Sequence, residues 1–331
     1  MKKIAINGFG RIGRSSFKIA FSKSDVEVVA INDLTDAATL AHLLQYDTSY
    51  GKYQNKVEAQ GSYLVINGKS IPVYAEPDPS KLPWGNLGVD VVLECTGRFV
   101  TGDAMKAHIT AGAKKVILSA PAKDGSDIPT FLLGVNADTY GAETVLSNAS
   151  CTTNCIAPVA KIMHDAFGVE KAMMSTIHSY TADQNLQDGP HKDLRRARAA
   201  AGNIVPTTTG AAIAVTEVIP ELAGLFDGLA FRVPTMVASL SDFTFILKKD
   251  VTVEEVNQVL AEAAKESRFQ NIFTITTEPL VSSDFIGNPY SSIADLSLTK
   301  VVGGNMVKVV AWYDNEWGYS NRLVEMAMHI A

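Results

Sequence analysis

The chain has 331 residues, 47% of them hydrophobic, and carries 29 Lys and Arg against 35 Asp and Glu for a net charge of −6. That length predicts two domains of similar size with well-formed cores, and the mild acidity argues against nucleic acid as the main partner. No apolar run approaches the roughly 20 residues that span a bilayer, and Met1–Asn7, two lysines with no long apolar run behind them, reads as a first strand and not as a signal peptide.

In chain order, Lys3–Asn7 reads as a strand, Arg11–Ser22 as a helix, Val26–Ile31 as a strand and Asp36–Tyr46 as a helix. Val89–Cys95 is almost continuously apolar, as a strand buried on both faces must be. Asp103–Ala111 is helical and Lys115–Ser119 is a further strand. Such alternation implies an α/β, doubly wound parallel sheet with helices on both faces. Past Cys151 the pattern changes. A helix from near Cys151 to near Gly168 precedes long β-rich runs, clearest at Ala172–Tyr180, Leu229–Val233, Ser239–Lys248, Ile272–Thr276 and Met306–Tyr313. Thr252-Val253-Glu254-Glu255 has capping-box spacing and opens a helix to about Glu266. Gly303-Gly304-Asn305 reads as a hairpin turn, and Ser320–Ile330 as a closing helix. This half reads as α+β with a mainly antiparallel sheet, and the boundary falls near Ala149–Cys151, giving domains of residues 1–150 and 151–315.

Asn7-Gly8-Phe9-Gly10-Arg11-Ile12-Gly13 holds a G-x-G-x-x-G pattern between the first strand and the first helix. Gly8 allows the tight turn, Gly10 lets backbone approach a pyrophosphate, and Gly13 lets the helix pack on the sheet. The N–H groups of Arg11 and Ile12 at the helix start face such phosphates. Asp33 ends the second strand 20 residues after Gly13. At that spacing a carboxylate receives a ribose 2′-OH and repels a 2′-phosphate, so the expected cofactor is NAD; the alternative makes Asp33 the N-cap of the next helix. Thr96 and Ser119 follow two further strands, at the edge where ligands of open α/β sheets lie. Each is either a cofactor contact or a turn residue.

Cys151 stands where a turn meets a helix start, in Ser150-Cys151-Thr152-Thr153-Asn154-Cys155. Unpaired N–H groups and the positive end of the helix dipole favour a thiolate there, which makes Cys151 a candidate nucleophile. Otherwise it is one more inert core thiol. The three cysteines, Cys95, Cys151 and Cys155, are too few and odd in number for a disulfide framework and fit a reducing, cytoplasmic compartment. His178 lies 27 residues beyond Cys151, near the end of a strand that a hairpin-like return can bring to the thiol for acid–base work. His42, His108, His164, His191 and His329 read as surface or packing residues. Thr181, Thr209, Gly210 and Arg232 form a possible phosphate set, since hydroxyls and bare N–H groups before the helical run Ala211–Val218 suit an anion and arginine suits bidentate binding. The alternative makes the threonines N-caps and pairs Arg232 with a structural acid. The basic stretch Lys192–Arg198 is a solvated or subunit-contact loop from which one arginine can reach a phosphate. Asn315, in a polar turn, suits a carboxamide, and no metal is expected.

Taken together, these residues resemble the phosphorylating glyceraldehyde-3-phosphate dehydrogenase family. The resemblance is carried by Asn7–Arg14, Ala30–Asp33, Glu94–Gly97, Ser119–Pro121, Ser147–Cys155, His178–Thr181, Asp193–Ala200, Pro206–Ala212, Phe231–Thr235 and Trp312–Arg322. The Ser147–Cys155 stretch is specific to that family and its erythrose-4-phosphate dehydrogenase relatives. The resemblance implies a Rossmann NAD domain, with a last helix (about 316–331) packing back on it, and a cytoplasmic homotetramer with a Tyr180–Ile204 loop between subunits. It also implies a chemistry. Cys151 forms a thiohemiacetal and then a thioester with glyceraldehyde 3-phosphate, His178 is the acid/base, and inorganic phosphate releases 1,3-bisphosphoglycerate. By the same resemblance Thr181 and Arg232 hold the substrate phosphate. Ser150, Thr152, Thr209, Gly210 and Arg196 frame the attacking phosphate, and Asn315 orients the nicotinamide. Two positions depart from the family pattern. Pro77 stands where a cation near the adenine is usual, and Ile213 where lysine is usual. Asp183 lies at a position that varies, and nothing is read into it.

Overall fold

The computed structural model describes residues 1–123 and 128–331. They divide into two compact units: Met1–Phe131 with Thr139–Ala149 and Ser320–Ala331, and Leu132–Asp138 with Ser150–Tyr319.

The first unit runs β1 (Lys2–Asn7), α1 (Arg11–Phe21), β2 (Val26–Asn32), α2 (Ala37–Gln45), β3 (Tyr46–Asp47), β4 (Gly51–Lys52), β5 (Val57–Gln60), β6 (Tyr63–Ile66), β7 (Lys69–Tyr74), α3 (Trp84–Leu87), β8 (Val91–Glu94), α4 (Gly102–Thr110), β9 (Lys115–Leu118) and β10 (Val145–Ser147). Its sheet has the order β10-β9-β8-β1-β2-β7-β6-β5. From β10 to β7 every neighbour is parallel; β6 and β5 add an antiparallel edge. The parallel part follows the expected doubly wound pattern. The strands at its centre are apolar on both faces, with Ile4, Ile6, Val91, Val92, Leu93, Val116 and Ile117 fully buried. The antiparallel edge is absent from the sequence reading. Its turn, Asn67-Gly68, has φ of 48° and 84°, the left-handed pair that a two-residue hairpin requires. Helix α2 is capped by Asp36, whose side chain accepts the Thr39 N–H, which removes the alternative of Asp33 as its cap.

The second unit runs α5 (Cys151–Phe167), β11 (Val169–Ser179), β12 (Val205–Thr207), α6 (Ala211–Val218), β13 (Phe226–Val233), β14 (Ser239–Leu247), α7 (Val253–Ala263), β15 (Phe273–Thr276), β16 (Ser292–Asp295), β17 (Lys300–Val302) and β18 (Met306–Tyr313). A last helix, α8 (Trp317–Ile330), begins in this unit, and its residues from Ser320 onward belong to the first. The sheet order is β12-β13-β11-β14-β18-β16-β15, with β17 on β18. Only β11/β13 and β15/β16 are parallel pairs, so the sheet is mainly antiparallel, as read from the sequence. Alternation does the sorting. Along β14 every second residue is buried, including Phe243, Phe245 and Leu247, while the residues between them are half-exposed. The capping box of α7 is present in both hydrogen bonds, and the helix stops at Ala263, three residues short of the expected end.

Candidate active site

Helix α5 opens at Cys151. Ser150 is its N-cap, accepting the Thr153 N–H at 3.0 Å, and the preceding Ala149 is fully buried in a left-handed conformation, φ 53°. A non-glycine residue held there is uncommon and marks a turn fixed by its surroundings. The N-cap leaves Cys151 in the first helical turn with its thiol at the positive end of the dipole.

The imidazole of His178, on β11, meets that thiol. Its Nε2 lies 3.5 Å from Cys151 Sγ, while its Nδ1 lies 2.6 Å from the Ser179 carbonyl and 3.2 Å from Arg232 NH1. A carbonyl only accepts and a guanidinium only donates, so the two contacts ask opposite roles of Nδ1; the shorter one, to the carbonyl, assigns it the proton, and Nε2 then presents a bare lone pair to the thiol. Burial, then the charge of Arg232, lowers the His178 pKa to about 3. Burial also raises the Cys151 thiol above its ordinary value, opposed by Arg232 and Thr152. The resting pair is therefore thiol and neutral imidazole, with the acceptor already aimed. Behind it, the Tyr313 hydroxyl lies 3.0 Å from Thr152 Oγ1 and 2.8 Å from Thr176 Oγ1. Thr176 donates onward to the Leu240 carbonyl at 3.2 Å, so the protons run Thr152 to Tyr313 to Thr176. Tyr313 ties α5, β11 and β18 together beneath the thiol, a role with no signal in the sequence beyond its place in an apolar strand.

Arg232 stands opposite His178 in the parallel β11/β13 register. Its NH1 donates to Thr181 Oγ1 at 2.8 Å and to the Ser179 carbonyl at 3.3 Å, while its buried Nε has no partner among the described residues. An unpaired buried guanidinium nitrogen is costly in the absence of an acceptor, and an anion supplies one. Thr181 donates to the Asp183 carboxylate, and Arg196 NH1 donates to the same carboxylate. Arg196 Nε reaches Thr207 Oγ1 at 3.0 Å and its NH2 reaches the Thr208 carbonyl at 3.3 Å. One chain of contacts thus runs from Cys151 through His178, Arg232, Thr181, Asp183 and Arg196 to Thr207 and the Thr208 carbonyl. Thr209 and Gly210 follow in sequence, and Thr209 Oγ1 accepts the Ala211 N–H at 3.2 Å. Asn315 Oδ1 accepts the Ser239 hydroxyl at 3.0 Å, and that hydroxyl oxygen accepts the Ser179 N–H. Sequence reasoning passed over Asp183. It also passed over Gln184, which is buried, accepts the Thr181 N–H and leaves its Nε2 without a partner among the described residues.

The first unit carries a cleft of about 350 Å³ at the carboxyl ends of β1, β2 and β8. Gly8, Gly10, Asp33 and Thr96 line it, with Asn32, Glu76, Pro77, Arg98 and Phe99. Gly8 has φ 91°, and a Cβ there would stand 2.7 Å from the Cys95–Thr96 backbone; a Cβ on Gly13 would overlap the Gly8 carbonyl oxygen. Nothing lies within 4 Å of a Cβ built on Gly10, which keeps that edge open. Asp33 accepts the Phe9 N–H at 2.7 Å and the Thr35 N–H at 2.9 Å, so the carboxylate is fixed at the rim by the glycine turn itself. These features fit a dinucleotide. Arg11, Ile12 and Ser119 do not line the cleft. The Arg11 guanidinium pairs with Asp47 at 2.6 Å, and Ser119 hydrogen-bonds the Cys95 thiol. Cys95 and Cys155 are pushed up to about 12 by burial, which leaves them inert beside Cys151. Beneath the cleft, Glu94 accepts from Asn7 Nδ2 at 2.5 Å and the Thr96 N–H at 2.8 Å, and lies 3.1 Å from His108 Nε2. His108, read as a packing residue, is fully buried there. No group of three or more His, Cys, Asp or Glu able to hold a metal exists among the described residues.

Residues 2–102 match the family model for the glyceraldehyde 3-phosphate dehydrogenase NAD binding domain, and residues 150–315 match that for its C-terminal domain. The chain is 56% identical over 331 residues to a glyceraldehyde-3-phosphate dehydrogenase of Geobacillus stearothermophilus, covering 99% of this chain and 98% of the relative. It is 57% identical over 331 residues to that of Priestia megaterium, with the same coverage, and 53% identical over 337 residues to that of Clostridium acetobutylicum, covering 100% and 99%. On those matches, the chain belongs to the glyceraldehyde 3-phosphate dehydrogenase family.

Proposed function

We propose that the protein oxidises D-glyceraldehyde 3-phosphate to 1,3-bisphosphoglycerate with NAD and inorganic phosphate. The observation that carries this reading is the bare Nε2 of His178 aimed at Cys151 Sγ, on a chain of contacts that reaches Arg232 and Thr181. The thiol gives its proton to Nε2 as sulfur bonds to the aldehyde carbon, and the proton passes to the former carbonyl oxygen, leaving a thiohemiacetal on Cys151. Nε2 then takes the hydroxyl proton as the carbon is oxidised to a thioester. NAD, when bound, supplies the hydride acceptor; Gly8, Gly10, Asp33 and Thr96 would hold its dinucleotide and Asn315 its carboxamide. The first-turn N–H of Cys151 stabilises the oxyanion. Inorganic phosphate, framed by Ser150, Thr152, Thr209, Gly210 and Arg196, displaces sulfur from the acyl carbon and leaves the acyl phosphate. Thr181 and Arg232 hold the substrate phosphate throughout.

NADH formation from glyceraldehyde 3-phosphate with and without inorganic phosphate tests the reading. Strong phosphate dependence supports it. Turnover indifferent to phosphate, and faster on erythrose 4-phosphate, replaces it with the hydrolytic relative.

The resemblance further supports a homotetramer in the cytoplasm. Met173 on β11, Leu229 on β13, Met306 on β18 and Val302 on β17 are exposed on the second sheet, and such a surface is best explained by a second copy covering it. Ile213 sits exposed beside Met173 at a cleft of about 620 Å³. Light scattering on the purified protein distinguishes a tetramer from a monomer. Among the described residues no helix is long and apolar enough to cross a membrane.

A further inference from the structure

Beneath the nucleotide cleft lies a polar cluster that the proposed reaction does not use. Glu94, at the end of β8, and His108, on α4, are both fully buried. Trp84, on α3 and equally buried, donates its indole N–H to His108 Nδ1 at 2.9 Å. An indole nitrogen only donates, so Nδ1 is bare and the ring carries its proton on Nε2. That N–H is aimed at Glu94, 3.1 Å away. Asn7 Nδ2 lies 3.4 Å from the same ring nitrogen because both donors converge on one carboxylate oxygen. The other oxygen accepts the Thr96 N–H at 2.8 Å and the Thr96 hydroxyl. Every lone pair of the buried carboxylate is thereby engaged. The network continues across the strand ends: Asn32 donates to Asn7 Oδ1 at 2.7 Å and bonds both backbone groups of Glu76. Asn7, Asn32, Glu76 and Thr96 all line the cleft. Thr96 has given its hydroxyl proton to Glu94, and its oxygen accepts the Arg98 N–H at 3.1 Å. What that hydroxyl still offers the cleft is a lone pair.

We propose that His108 is a positioning residue for the dinucleotide: through Glu94 it holds the Thr96 hydroxyl as an acceptor for a cofactor hydroxyl. The proposal rests on the assignment of this cleft to NAD. The Asp33 carboxylate on the same cleft is likewise an acceptor, so the two groups receive hydroxyl donors and offer nothing to a phosphate oxygen. Without His108 the carboxylate keeps a buried lone pair that has no donor, a costly state that turning toward other donors relieves. Thr96 and Asn7 are bonded to that carboxylate and shift with it. Trp84 has the complementary part, since its N–H fixes the tautomer in which a neutral ring donates to Glu94. The effect of His108 on NAD is exerted through Thr96.

Calorimetric titration of the full chain with NAD is the test, on His108→Phe, Thr96→Val and the double variant. Phenylalanine fills the volume of the ring and removes its donor; valine keeps the branch of threonine and removes the hydroxyl. Each single variant should lose NAD affinity roughly ten-fold, the scale of one hydrogen bond to a charged group. The double variant should lose little more than either, because both act through one hydroxyl, whereas independent losses would multiply to about a hundred-fold. In steady state the His108→Phe loss should fall on KM for NAD, with kcat at saturating NAD within about two-fold of wild type. His108→Gln, which returns an N–H toward Glu94, should stay within about three-fold of wild-type affinity. His108→Leu, smaller than phenylalanine and equally without a donor, repeats the cycle and should show the same coupling. Losses that multiply in both double variants, or wild-type NAD affinity in both single ones, overturn the proposal and make His108 a packing residue. Failure of the underlying assignment looks different: Thr96→Val would then itself bind NAD as the wild type does.

Discussion

His178 faces Cys151 with Nε2 3.5 Å from Sγ, while its Nδ1 lies 2.6 Å from the Ser179 carbonyl and 3.2 Å from Arg232 NH1. The shorter Nδ1 contact determines which way the couple works, because a carbonyl only accepts: it keeps the proton on Nδ1 and leaves Nε2 bare toward sulfur. In His178→Asn the thiol loses its proton acceptor. Alkylation of Cys151 by iodoacetamide at neutral pH should slow by roughly ten-fold or more, its pH profile should move upward, and oxidation should fall about 10²–10⁴-fold, the range of general acid–base catalysis. A profile identical to wild type would remove His178 from the couple.

The same burial makes a statement about stability. His178 stays neutral in the folded chain down to about pH 3, whereas an unfolded histidine takes a proton near pH 6.5. Between those values the unfolded chain binds one more proton, so stability is fully present above about 6.5 and falls as pH drops through the window. The wild-type melting temperature should therefore fall more steeply than that of His178→Asn from about pH 6 to 4. Parallel curves would refute a neutral buried imidazole.

Asp33 anchors the Phe9 N–H and the Thr35 N–H as well as facing the cleft. Asp33→Asn keeps one acceptor and removes the charge. NAD affinity should weaken roughly ten-fold, on the scale of a lost hydrogen bond to a charged group, and the preference for NAD over NADP should narrow. Titration by fluorescence with both cofactors measures each, and an unchanged preference removes Asp33 from the ribose.

Gly13→Ala places a methyl group against the Gly8 carbonyl oxygen. The turn has to open, so NAD binding should be lost. Cys151 and its partners belong to the other unit, so alkylation of the thiol should keep its wild-type pH profile. Wild-type NAD affinity in this variant would show that the turn does not carry the dinucleotide.

Tyr313→Phe removes the hydroxyl shared by Thr152 and Thr176. Two buried hydroxyls then lose a partner, for about 1–3 kcal/mol of stability. Because Thr152 starts the α5 turn beside the thiol, kcat should drop while NAD affinity holds. Chemical denaturation together with steady-state kinetics checks both halves.

What the sequence disclosed and what it withheld follow from range. The glycine turn, Asp33 and the α5 start at Cys151 are local features: a few adjacent residues dictate their backbone, and composition reads them directly. The Asn67-Gly68 hairpin signal is equally local, and reading it would have exposed the antiparallel edge. Tyr313 was opaque for another reason. It lies 161 residues from Thr152 and 137 from Thr176, and only the assembly of β18 beside β14 brings them together. Asp183 was opaque because its neighbours, Arg196 and Thr181, meet through a loop whose path no periodicity describes. His178 was intermediate: its strand was legible, its distance to the thiol was not.

His178 and Arg232 are partners in a parallel register, and Val205 opposes Arg232 from the other side. Side chains alternate faces along a strand, so deleting a single residue within β11 ahead of His178 turns the imidazole to the wrong side of the sheet. The loop from Tyr180 to Ile204 answers to no such count. Insertions and deletions there can reshape the anion seat around Asp183 and Arg196 while the proton acceptor stays aimed at sulfur. New substrates are therefore reachable from this scaffold by changing the length of a loop, and unreachable by changing the length of a strand.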